Sequence, residues 1–217
     1  MAQPAPDTSE MLAVHGALRD TLAAAPGHIG TVAADDEARR ALVAGYFSDV
    51  IAFLEVHHQA EEVLLFPLLE ERCADQASLL ARMKEQHESV VDLIGQTSQS
   101  LGSWAGGDHA AQSQTVANFE ELHALMVEHL REEEAGLLPL CGSNMSAEEW
   151  GALPGYSMAH FGGEKIWLVL GLIRQRMTDA QRAEMLAHMP PPAVEMWTTF
   201  GEAAFNDLSA AVPVPVS

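Results

Sequence analysis

Shifted along itself by 72 residues, the chain lays rare residues on top of one another. His15 falls on His87, His57 on His129 and Glu61 on Glu133, while Glu62 meets Glu134 and Pro67 meets Pro139. Met11, Leu65 and Leu68 find like residues at Met83, Leu137 and Leu140. With only 10 histidines in 217 residues, such register is not expected of unrelated segments. It implies two copies of one helical hairpin related by a pseudo-two-fold axis. The period is too long for a solenoid repeat and occurs only twice, so a closed bundle fits better than an array.

The residues between these landmarks favour helix. Apolar residues make up 48% of the chain but aromatics only 6%, and Ala, Leu, Glu and Met outnumber β-branched types. Helical patterns run from Thr8 or Ser9 to about Ala25, from about Asp35 to Arg72, from Asp75 to about Gly102, and from about His109 to Leu140. Pro26, Gly27 and Gly30 mark one break and Gly106-Gly107-Asp108 another. The fold class expected is therefore all-α, an up-down-up-down four-helix bundle over residues 8–142. Residues 143–210 read as a C-terminal helical extension packed on it, with a fifth helix over Tyr156–Met177. The segment 211–217 reads as a flexible tail, and Met1–Asp7 as a disordered lead-in.

Turn positions then fix where the histidines meet. The midpoint of His57 and His87 is residue 72, that of His87 and His129 is residue 108, and that of His15 and His57 is residue 36. Each lies at or near a break between helices. Residues equidistant from a turn stand at equal height on antiparallel helices, so the four imidazoles share one layer. Glu61 and Glu133 each follow a histidine by four residues, one turn along and about 40° around. Two such carboxylates on different helices can bridge two metal ions, with four imidazoles completing the set. An octahedral first-row ion would keep room for a shared oxo or hydroxo ligand and an open position. A lone His-x-x-x-Glu is usually a solvated pair; two copies in register with two further histidines are a metal layer.

The run His57-His58-Gln59-Ala60-Glu61-Glu62-Val63-Leu64-Leu65-Phe66-Pro67, its counterpart from His129 to Pro139, and the lone His15 and His87 resemble the hemerythrin-like (HHE cation-binding) family. That resemblance covers about residues 8–142 and implies two iron ions held by His15, His57, Glu61, His87, His129 and Glu133. Animal oxygen carriers of the family have a further histidine one turn before the third-helix ligand. Met83 stands there, so the pattern is similar to the bacterial type with four histidines and two glutamates. The family's small ligands, O2, peroxide or nitric oxide, are the implied partners. The first functional expectation is a di-iron protein of oxidative or nitrosative defence, with peroxidase, catalase-like or nitric-oxide-reducing turnover left open. Alternatives are sensing, storage or delivery without turnover, and more remotely a zinc-binding structural bundle. A ferritin-like site, built on Glu-x-x-His, has the reverse order and a different spacing.

Other residues carry less. His160 and Glu164 repeat the His-x-x-x-Glu spacing on the fifth helix and are possible supplementary ligands, though no partner for them is apparent. His58 lies about 100° around from His57 and reads as an outer residue, as do Glu62 and Glu134. Cys73 and Cys141 fit neither a disulfide framework nor a thiolate metal site. The net charge of −20 repels phosphate backbones and anionic lipid, so neither nucleic acid nor membrane is an expected partner. No leader pattern opens the sequence, which suggests a cytoplasmic monomer or homodimer.

Overall fold

A computed structural model describes residues 5–216; residues 1–4 of the expected lead-in and Ser217 lie outside the described residues. Among the described residues all regular structure is helical. In chain order the helices are α1 (Ser9–Gly30), α2 (Glu37–Leu64), α3 (Phe66–Arg72), α4 (Ala77–Ala105), α5 (Ala111–Glu132) and α6 (Leu138–Asn144). Then come α7 (Ala147–Trp150), α8 (Ala152–His160), α9 (Ile166–Gln175), α10 (Asp179–His188), α11 (Pro191–Met196) and α12 (Glu202–Ala211). Helices α1, α2, α4 and α5 form the antiparallel bundle, with α4 against α5, α1 against α5, and α2 against both α1 and α4.

The internal repeat is reproduced in the helix breaks. Helix α3 spans residues 66–72 and α6 spans 138–144, the same seven positions one period later. Pro67 and Pro139 sit in the first turns of these helices, where a missing N–H costs nothing. In the first copy α2 ends at Leu64, and the single residue Leu65 separates it from α3. In the second, a π-helical turn over Glu133–Leu137 absorbs the same strain. Proline thus re-aims the chain just beyond Glu61 and just beyond Glu133.

Helix α1 does not stop near Pro26 as the sequence suggests; it continues to Gly30. Proline forfeits one backbone hydrogen bond there, but the extra turn inserts Ile29, fully buried, into the core. The expected fifth helix is instead two. It breaks after His160, and Asp49 of α2 holds the break. Buried Asp49 accepts hydrogen bonds from the Glu164 and Lys165 backbone N–H groups, at 2.6 and 3.1 Å, and from Lys165 Nζ at 2.8 Å. A Cβ on Gly163 would collide with Asp49 and Phe161, so the approach needs glycine.

The core falls into two apolar clusters with the histidine layer between them. Leu18, Phe47, Leu54, Phe119 and Met126 belong to the larger, and Met11, Phe66, Met83, Leu137 and both cysteines to the smaller. The extension adds to each. Leu168–Ile173 of α9 is buried against α1, α2 and α12, and Trp150 and Leu153 join the smaller cluster. The start of the tail read as flexible is also held: Val212 is fully buried, and Pro213 O accepts from His28 Nε2 at 2.8 Å.

Phe205 of α12 packs directly over Gly171 of α9, where any Cβ would meet its ring. Gly171→Val is therefore expected to lever α12 off α9 and destabilise the chain by about 2–3 kcal/mol. Thermal unfolding and limited proteolysis of the C-terminal helices read that out; an unchanged melting temperature with unchanged cleavage would refute it.

Candidate metal centre

Five imidazoles occupy the layer. Ring centroids lie 5.3 Å apart for His15 and His57, 4.9 Å for His87 and His129, and 4.5 Å for His58 and His87. All five rings are buried, with Glu61 and Glu133 fully so. Their donor atoms sort into two sets, His15–His57–Glu61–Glu133 and His58–His87–His129, each with its atoms within 4.8 Å of one another.

The carboxylates lie across the two groups. Glu61 Oε1 is 3.4 Å from His57 Nε2, and its Oε2 is 3.6 Å from His87 Nε2. Glu133 Oε2 is 3.6 Å from both His15 Nε2 and His129 Nε2. Each glutamate therefore reaches one histidine of either set, the arrangement a bridging carboxylate needs.

Hydrogen bonds on the far side of the rings fix their tautomers. Nδ1 of His15 meets Glu134 Oε1 at 3.1 Å, and Nδ1 of His87 meets Glu62 Oε1 at 2.8 Å. Nδ1 of His58 meets the Leu54 carbonyl at 2.9 Å, and Nδ1 of His129 meets Gln86 Oε1 at 2.9 Å. Every partner atom is an oxygen acceptor, so every Nδ1 donates. Each Nε2 is then left with a bare lone pair turned inward. Glu62 and Glu134, related by the repeat, thus orient His87 and His15, also related by it.

The inward atoms fit a metal and little else. Nε2 of His15, His57 and His87 and all four oxygens of Glu61 and Glu133 are buried without hydrogen-bond partners. Nε2 of His58 and of His129 face each other at 3.2 Å, and with both Nδ1 atoms protonated neither has a proton to share. Adjacent octahedral ligands at about 2.1 Å from one ion stand about 3.0 Å apart, so a cation resolves this contact. A proton does so poorly. Burial, reinforced by neighbouring imidazoles, pushes His58 down to about 4 and His129 down to about 3. Burial likewise drives His57 well below the usual imidazole range and lifts both carboxyls, Glu61 further by the neighbouring Glu133. Without a cation the layer favours neutral groups, and the carboxyl oxygens stand 3.4–3.6 Å from the Nε2 atoms, too far for good hydrogen bonds between them.

All six positions that the sequence spacing singled out come together here. His58 joins them, although its offset from His57 suggested an outer position. A signal was present, since its repeat partner is Leu130, an apolar residue that itself is fully buried. His160 and Glu164 belong to neither set. His160 is exposed and stacks on Tyr156, and the Glu164 side chain is 91% exposed beyond the helix break that separates the two. Their spacing of four loses its helical meaning at that break. Cys73 and Cys141 are buried free thiols, each raised above its usual pKa chiefly by burial.

No helix among the described residues is long and apolar enough to cross a membrane. No curated protein and no solved structure gives a match to the chain. The family model of the hemerythrin HHE cation-binding domain matches residues 7–141, which take in the whole histidine layer and both glutamates. On that match, over more than half its length, the chain belongs to the hemerythrin HHE cation-binding domain family.

Proposed function

We propose that the chain is a non-haem di-iron protein that reacts with O2, peroxide or nitric oxide in oxidative or nitrosative defence. The observation that carries this reading is the set of inward-facing lone pairs, five imidazole nitrogens and two carboxylates, with each carboxylate spanning the two groups of histidines. His58, His87 and His129 would hold one ion and His15 and His57 the other, with the Glu61 and Glu133 carboxylates available to both. The His15–His57 set offers one imidazole fewer, so an ion held there would have more room for a small ligand. An iron pair held there would supply redox chemistry to such a ligand.

The protein's own contribution is orientation and exclusion. Glu62, Glu134, Gln86 and the Leu54 carbonyl hold four rings in the ligating tautomer, which also makes them better donors. The two apolar clusters on either side keep water from the layer.

Elemental analysis of the purified chain is expected to give two irons per chain, with an absorption spectrum of a bridged ferric pair in the oxidised state. Peroxide or nitric oxide should be consumed over many turnovers, and His87→Ala should end that activity. His58→Leu, which copies Leu130, should weaken the iron at His87 and His129 by at least about tenfold while leaving the one at His15 and His57. Zinc in place of iron, or reversible stoichiometric ligand binding without turnover, would replace this reading with a structural or sensing one.

A further inference from the structure

The C-terminal extension forms, with α1 and α2, a partly open cavity of about 630 Å3 lined from helices α7 to α10. This is far larger than a diatomic or peroxide ligand needs and falls in the range of sites for small organic molecules. Its buried lining is apolar, from Phe53 and Val56 of α2 to Leu153 of α8 and Val169 of α9, with one exception. That exception is His57, 5% exposed.

Of the five layer histidines, His57 alone has no Nδ1 partner among the described residues. With Nε2 turned to the metal layer, Nδ1 carries the proton, and the ring borders the cavity. A donor without an acceptor at the wall of an apolar chamber is a feature that a ligand oxygen would satisfy. The charged residues of the lining are all exposed at its rim: Asp7, Glu10 and Glu184, with His188 beside them. Burial and the neighbouring Asp7 and Glu184 raise the Glu10 carboxyl, as expected where negative charge accumulates. An anionic ligand would meet that ring of carboxylates.

We propose that this cavity is the binding site for an uncharged, largely apolar organic molecule carrying a carbonyl or hydroxyl oxygen, which accepts a hydrogen bond from His57 Nδ1. The site would place the organic ligand next to the His15–His57 side of the centre. The orientation of His57 rests on the metal reading, but the chamber and its acidic rim do not.

The neutral fluorophore 1-aminoanthracene serves as probe, with displacement by 2-decanone, n-decane and decanoate at neutral pH. Saturable binding of one probe per chain is expected, with 2-decanone displacing it about tenfold better than n-decane and decanoate displacing it least. Val169→Trp and Leu153→Trp, which add bulk to the lining from α9 and α8, should each abolish binding. The proposal is overturned by an absence of saturable binding, by decanoate competing as well as the ketone, or by both tryptophan variants binding like the natural chain. Equal displacement by ketone and alkane would remove His57 from it. Running the series on iron-loaded and chelator-stripped protein separates the two readings. A chain that holds no metal yet binds the probe loses the di-iron function and keeps the cavity.

Discussion

The double variant Glu61→Met, Glu133→Met is expected to bind neither ion and yet, stripped of metal, to melt above the metal-free natural chain. Both carboxyls are fully buried with no hydrogen-bond partner for any of their four oxygens. A buried polar group left unsatisfied costs about 1–3 kcal/mol, and methionine fills a similar volume without that cost. After allowance for imperfect packing, the pair of changes should stabilise the metal-free fold by about 2–4 kcal/mol. That corresponds to a rise of roughly 5–15 °C for a chain of this size. The loaded natural protein should melt higher than either, because ions that bind only the folded state stabilise it. Calorimetry with and without chelator, alongside metal analysis, orders the three. Two ions retained by the variant, or a lower melting point than the metal-free natural chain, would remove the bridging role of the two glutamates.

Acid should be unusually damaging to the metal-free protein. His57, His58, His87 and His129 are all lowered by burial, and their neighbours lower them further. Below their unfolded value of 6.5 the unfolded chain binds protons that the fold refuses, so each imidazole makes stability fall as pH falls. Glu61 and Glu133 act in the opposite sense. Their folded pKa values are raised above 4.5, so between the two values the fold holds protons that the unfolded chain releases. Four imidazoles against two carboxylates leave two net protons favouring the unfolded state. At about 1.4 kcal/mol per pH unit for each net proton, stability then falls as pH drops below 6.5, out of a total on the order of 5–15 kcal/mol. Urea titrations of chelated protein at stepped pH measure this; a midpoint that holds constant or rises from pH 6.5 to 5 would contradict it. In the loaded protein the same protons compete with the ions for Nε2, so metal loss and unfolding should coincide.

Much of the layer is legible in the sequence because helix geometry converts spacing into position. Equal heights follow from turn positions, and an offset of four puts Glu61 beside His57 and Glu133 beside His129. The same arithmetic tolerates the displaced first turn, since α1 and α2 still bring the His15 and His57 rings within 5.3 Å. What escapes it depends on tertiary contact. Whether a residue 100° around from a ligand faces in or out depends on how wide an arc the bundle buries, and α2 is covered broadly enough to bury His57 and His58 together. The break at residues 161–165 is held by Asp49, 115 residues from Glu164. Such a partner leaves no local trace. The clasp of Glu62 on His87 and of Glu134 on His15 depends on side-chain torsions that spacing does not encode.

Two halves built on one plan also act as a record of each other. Where they agree in the interior, at His15 and His87 or Glu61 and Glu133, the agreement marks what either hairpin must supply for the pair to close. Where they differ, the difference points to what one half does alone. His58 against Leu130 is such a difference, a single exchange in the interior that makes twin sites unequal. A further asymmetry concerns shelter: helices α8 and α9 of the extension pack on the first hairpin, α1 and α2. Two near-symmetric halves thus carry a front and a back, and His57 lies on the side that the extension covers.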